Sequence, residues 1–317
     1  MPNREDDRAP LLELATRSLD EQPLAIGAVA RSVIRMTSDS EVSIRELARA
    51  ISSDPGLSGK IIKTANSAFY AGPSIVTTIP GAVAKLGITA TRSAAIAASV
   101  QALYRGGGHE GLEHALWRHS LAAAVAARIV VQHTGSPLAE EAFLCALLHD
   151  IAKLVLLQRF PDKYKPVLKR TLGNDEASLE IELTAMGFTH ADLGAMILER
   201  WAFGPASIRA VRFHHDPNRA GAATDEDEIR QEAVLLSYAI CMANALAKHL
   251  EKSAENALGM DPPNCPAIAY FGFTNGQICQ ILEETSFRVG DELQVFGQPD
   301  TPMFSTRCRT RLPSHMR

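Results

Sequence analysis

Apolar residues recur along this chain at helical spacing, and no alternating strand pattern survives over any useful length. A first helix spans 11–19 and is broken by Gln22-Pro23; the next face carries Leu24, Ala28, Val29, Val33 and Met36. Ser43-x-x-Glu46 is a capping box that opens a helix over 44–51. Asp54-Pro55 places an N-cap before a proline at the first helical position, starting a helix that runs to about Ala68. Thr78-Ile79-Pro80 opens a fifth helix, closed at Gly87, and Thr89 opens a sixth that stops before Gly106-Gly107-Gly108.

That glycine triplet is the natural linker between two bundles. Beyond it the spacing predicts helices over 112–133, 139–158, 162–172, 177–186, 190–201, 205–214 and 229–250. The pattern then weakens: Asp261-Pro-Pro is a loop, 275–287 is one helix or two short ones, and the Pro- and Arg-rich end from Gly297 is loose. The fold class is all-α. A disordered tail (1–10) precedes an N-terminal bundle (11–105) packed on a second bundle (109–250), with a helical C-terminal extension over 251–317.

One stretch dominates the second bundle. Residues 144–157 are apolar almost throughout, as befits a helix in the middle of the fold, yet they carry His149, Asp150 and Lys153. Burying three polar groups costs several kcal/mol, on the order of a full interaction each, unless each meets a partner or a metal. His149 and Asp150 are adjacent on a helix wheel and can lean toward one centre, with Lys153 one turn further on.

Composition narrows the class. Hydrophobic residues make up 46% but aromatics only 6%, a mixture that suits close-packed helices better than sheets. A net charge of −4 with no long basic run argues against nucleic acid as the main partner. The five cysteines (Cys145, Cys241, Cys265, Cys279, Cys308) are scattered without a C-x-x-C pair and read as reduced thiols. The polar start is unlike a secretory leader, and the apolar run 121–131 contains Arg128 and is too short for a membrane span. A soluble, cytoplasmic protein is expected.

Candidate chemistry gathers after the glycine triplet: His119, His149, Asp150, His190, His214 and His215, with Asn244 later. Imidazoles and a carboxylate converging from several helices are a common way to build a metal site in a bundle. This set and order resembles the HD superfamily of metal-dependent phosphohydrolases. The resemblance implies that His119, His149 and Asp150 hold a first metal and that His190, His214 and His215 are additional ligands. It also implies that Lys153 meets a phosphate. The last acidic ligand of that family falls at Asn244, where this chain lacks the charge.

The first half narrows the resemblance. Leu47-Ala-x-x-Ile51-x-x-Asp54-Pro-x-Leu57, Ala65-Asn-Ser-Ala-Phe69-Tyr and Ala82-x-x-x-Leu86-Gly87 are similar to the HDOD domain (HD-related output domain). So are Trp117-x-His-Ser, Ala146-Leu-Leu-His-Asp-Ile, Trp201-x-x-x-Pro205 and His214-His-x-Pro217, and together they cover about residues 20–250. The diguanylate-degrading relatives carry Gly-Tyr-Pro after the histidine pair, whereas here Asp216-Pro-Asn follows. The resemblance implies a bacterial signal-transduction output or adaptor protein that works through contacts with signalling proteins. The divalent metal (iron, manganese, zinc, magnesium or nickel) would then sit in an eroded, non-catalytic site. The competing expectation is a metal-dependent phosphohydrolase acting on a nucleotide or cyclic dinucleotide, favoured by six retained positions out of seven.

Plainer readings stand beside these. His119 alone reads as a core histidine bonded to a backbone carbonyl, Asp150 as an acceptor for His149, Lys153 or His119, and His214-His215 as a solvated helix end. Residues 43–63 imitate a helix-turn-helix that would offer Ser58, Lys60 and Lys63 to DNA, but two packed helices are the preferred reading.

Overall fold

A computed structural model describes residues 9–21, 28–37, 42–70, 72, 74–105, 107–171, 178–222, 226–256 and 265–296. Among them every regular element is a helix. The first group comprises α1 (Ala9–Glu21), α2 (Ala28–Thr37), α3 (Ile44–Ser52), α4 (Pro55–Ala65) and α5 (Ile79–Leu103). The expected starts are present in atomic detail. Ser43 Oγ accepts from the Glu46 amide while Glu46 Oε2 accepts from the Ser43 amide, and Asp54 Oδ1 caps the Leu57 amide. The two helices expected on either side of Gly87 meet there in a kink, where Gly87 leaves the helical conformation with φ 77° and ψ 175°.

The second group is α6 (Glu110–Thr134), α7 (Ala139–Leu148), α8 (Ile151–Arg159), α9 (Pro161–Thr171), α10 (Ser178–Met186), α11 (His190–Arg200), α12 (Pro205–Arg212) and α13 (Asp227–Asn256). Two more follow, α14 (Pro266–Phe271), which the sequence pattern does not announce, and α15 (Asn275–Val295). The latter is one helix and runs well past the expected stop at Phe287. The tail from Gly297, the tail before Ala9 and Asp261-Pro-Pro lie outside the described residues.

Helix α6 is the axis of the molecule. It packs on α7, α13 and α15, while α12 lies on α13 and α5 reaches across to α7. Alanines 122–124, 126 and 127 of α6 are fully buried and admit these neighbours closely. Leu47, Ile61 and Val83 from the first group belong to the same apolar cluster as Leu121, Leu147 and Leu246 from the second. At the glycine triplet Gly107 is tightly enclosed: a Cβ there would fall 2.0 Å from Glu113 Oε1.

Helix α13 differs from expectation. Its segment Asp227–Lys252 is long and apolar enough, by length and composition, to cross a membrane. In this fold its apolar face is covered by α6, α7 and α12. The helix-turn-helix imitation also resolves: Lys60 Nζ turns inward, bonding the Ala98 carbonyl and Gln101 Oε1 and lying over the Phe296 ring.

Candidate metal centre

The stretch expected as one helix over 139–158 is two. Helix α7 ends at Leu148 and α8 begins at Ile151, with His149-Asp150 forming the turn between them. The reason is local. His149 Nδ1–H donates to the Ala146 carbonyl at 2.6 Å, the acceptor that the amide of residue 150 would use in a continuous helix. His214 repeats the arrangement at the end of α12, its Nδ1–H donating to the Val211 carbonyl at 2.7 Å. Each bond fixes the tautomer, so Nε2 carries the lone pair and faces inward. Gly194 of α11 lies between the two turns, where a Cβ would make ordinary van der Waals contact with Val211 Cγ1 at 3.4 Å and the His149 carbonyl oxygen at 3.7 Å.

Asp150 stands between two groups of donors. Its Oδ2 accepts from Lys153 Nζ at 2.8 Å and lies 3.4 Å from His149 Nε2 and 3.9 Å from His119 Nε2. Its Oδ1 is 3.2 Å from His190 Nε2. His215 Nε2 in turn sits 3.1 Å from His190 Nε2, and the His214 and His215 rings are 4.1 Å apart. Donor atoms of His119, His149 and Asp150 all lie within 4.8 Å of one another, as do those of His190, His214 and His215. All seven residues expected at the site, Asn244 included, are therefore in one region with Lys153 at its side. The plainer readings are corrected in part. His214 is 1% exposed and His215 half-buried, so this helix end is not solvated. His119 faces side chains, not a backbone carbonyl.

Two carboxylates escaped the sequence reading. Glu182 of α10, fully buried, holds His190 by Oε2, 2.7 Å from Nδ1 and 2.8 Å from the backbone amide, and Tyr164 donates to its other oxygen at 3.1 Å. Glu251 of α13 lies 3.1 Å from His119 Nδ1, while Asn244 Oδ1 lies 3.1 Å from His119 Nε2. Glu182 had a faint signal, an acid on an otherwise apolar face eight residues before His190. Glu251 had none, because the helix pattern fades at Leu250.

Electrostatics favour cation binding. Burial holds the His149 imidazole down to about 3, and burial together with the neighbouring imidazoles holds His214 and His215 well below the usual histidine range. Burial alone would raise the Asp150 carboxyl, but the neighbouring His149, Lys153 and His190 outweigh it and hold that group well below the usual range. His149, His214 and His215 are thus neutral imidazoles near an ionised carboxylate. His149 Nε2, His214 Nε2 and Asp150 Oδ1 are buried acceptors without a hydrogen-bond donor. Buried acceptors facing one another repel unless a cation lies between them. The donor set fits a metal ion.

The chain matches the HDOD domain family over residues 24–217, more than half its length. It is an HDOD domain protein. The match takes in α2 to α12 and the pair His214-His215, while α1 precedes it and Asn244 and Glu251 lie beyond it. Similar solved structures include a provisionally named phosphohydrolase from Shewanella amazonensis SB2B, 21% identical with a TM-score of 0.65, covering 90% of this chain and 97% of that one. Another is an HDOD domain protein of unknown function from Geobacter sulfurreducens, 18% identical, TM-score 0.63, covering 91% and 93%. A third is a provisionally named signal transduction protein from Marinobacter aquaeolei VT8, 22% identical, TM-score 0.64, covering 93% and 66%. At these identities the shared property is the fold. An uncharacterised protein of Treponema pallidum is 22% identical over 186 residues, 57% of this chain but only 35% of its own length. The HDOD chain thus spans about a third of that relative.

Proposed function

We propose that this HDOD protein is a signal-transduction output protein, cytoplasmic and of bacterial type. It acts through contacts with other signalling proteins, around a metal centre whose duty is structural. The observation that supports the reading is how completely the donors are enclosed. His149 and His190 have no exposed surface, His214 has 1% and Asp150 3%. Structural metal sites are closed by protein donors, whereas hydrolytic ones keep a position open for water or substrate.

His119, His149 and Asp150, with the Asn244 carbonyl, form one set of ligands, and His190, His214 and His215 the other. A bound divalent ion supplies Lewis acidity and a folding cross-link among five helices. The nitrogen-rich donors favour iron, zinc or nickel over magnesium or manganese. Asn244 adds an oxygen but no charge. Lys153 neutralises Asp150 instead of standing free for a phosphate.

The second reading, a phosphohydrolase acting on a nucleotide or cyclic dinucleotide, is favoured by the junction of the two donor groups at Asp150. In that case Lys153 would leave Asp150 to meet phosphoryl oxygens, with half-buried His215 at the wetter edge.

The deciding test is metal content per chain, measured on full-length protein purified without chelator or affinity metal, beside Asp150→Ala. A phosphodiester panel including cyclic dinucleotides runs in parallel. Stoichiometric metal that is lost in the variant, with no turnover, is the expected result. An empty, normally folded wild type removes the metal. Metal-dependent turnover that Asp150→Ala abolishes replaces the output reading with the hydrolase.

A further inference from the structure

Less than one turn before Asn244, helix α13 carries a thiol that faces a second one across a helix boundary. Cys241 Sγ of α13 lies 3.7 Å from Cys265 Sγ, the residue that opens α14. Both are free thiols, Cys265 buried at 7% exposure and Cys241 half-buried. The contact is held from both ends. One turn before Cys241, Tyr238 stacks on Tyr270 of α14 with ring centroids 3.9 Å apart and planes within 5°. The Tyr238 hydroxyl is itself fixed on Asn218 Oδ1 at 2.6 Å. The hydrogen bond with the Cys241 thiol holds the Cys265 thiol below its ordinary value against the effect of burial, a setting that favours its thiolate. Of the other cysteines, Cys145 is enclosed in α7 and Cys279 is on α15.

We propose that Cys241 and Cys265 are a reversible disulfide site, a dithiol in the reduced protein that hydrogen peroxide converts to an intramolecular bond. The two thiols lose their S–H bonds and form one S–S bond, giving up two electrons. The peroxide O–O bond breaks, takes up those electrons and both protons, and leaves as two molecules of water. Bond formation requires the sulfurs to close from 3.7 Å to about 2.05 Å, a movement within reach of side-chain rotation. The bond would fasten α14 to the helix that carries Asn244 and Glu251. This inference does not depend on the metal reading.

The test uses full-length protein, reduced, freed of reductant and treated with dilute hydrogen peroxide. Intact mass should fall by about 2 Da and return with dithiothreitol. Proteolysis without reductant should yield one cross-linked pair of peptides containing Cys241 and Cys265. Cys241→Ser should abolish the loss. A variant with Ser at Cys145, Cys279 and Cys308 should retain it; should that variant not fold, the peptide map of the wild type decides alone. A gain of about 16 Da without the loss, a bridge to any other cysteine, or a disulfide between two chains overturns the proposal.

Discussion

Glu182 Oε2 lies 2.7 Å from His190 Nδ1, with neither side chain exposed to solvent. Through this bond a carboxylate outside the donor cluster fixes the ring and tautomer of a histidine inside it, leaving Nε2 toward Asp150 and His215. Glu182→Gln keeps the shape and removes the charge. Metal affinity should fall about 10- to 100-fold while helicity is retained, as read by competition with a chromophoric chelator and far-UV circular dichroism. Unchanged affinity would show that Glu182 serves packing alone.

Asp150 and Lys153 are a buried pair at 2.8 Å, and removing one partner strands the other. Asp150→Ala in the metal-free protein should cost about 3–5 kcal/mol in urea unfolding. Adding Lys153→Met should restore a large part of it. Additive losses in the double variant would rule out direct coupling.

Acid should unfold the metal-free protein early. His149, His214 and His215 have folded-state values depressed below the ordinary 6.5, so the unfolded chain binds more protons as pH falls through that value. Stability is therefore full above about pH 6.5 and falls as pH drops from there toward about 3, the folded value of His149. Asp150 and Glu182 are also depressed, so their contribution is present above the ordinary carboxylate range and is lost as pH falls below it. Both effects act in one direction. The midpoint of urea unfolding should be flat above neutrality and decline below pH 6.5, and His214→Gln should shallow the decline. A flat midpoint down to pH 5 would contradict neutral burial of these rings.

Arg128 is a buried charge on α6. Its guanidinium lies 3.8 Å from the Phe143 ring centroid and 4.8 Å from that of Phe69, and it bonds Glu140 at 2.9 Å with Glu292 at 3.8 Å. Arg128→Ala would strand two acids and should cost about 3–5 kcal/mol by urea denaturation. Arg128→Lys should recover little, because an ammonium cannot both stack on the rings and meet both carboxylates. Full rescue by lysine would reduce the role to simple charge.

The legible parts of this protein are those written in local chemistry. Ser43 and Glu46, Asp54 and Pro55, and Gly87 each set their backbone through neighbours within a turn, and each is where the sequence placed it. The site residues were legible as a set because six titratable side chains interrupt an apolar pattern. The break at His149-Asp150 was hidden, since an unbroken apolar run on both sides reads as one helix. What ends it is a ring nitrogen taking the Ala146 carbonyl.

Amino-acid order alone determined that the chain is all-α, that it resembles the HDOD family and that one histidine–aspartate cluster stands at its centre. Periodicity and capping are short-range, so they need no knowledge of what packs against what. Only the tertiary structure decided that Asp150 joins two donor groups, that Glu182 holds His190 and Glu251 meets His119, that Lys60 points inward, and that Cys241 faces Cys265. Those pairings join residues up to 132 positions apart, as His119 and Glu251 are. They arise from helices packing on α6 and α13, and no local pattern encodes which side chains that packing brings together.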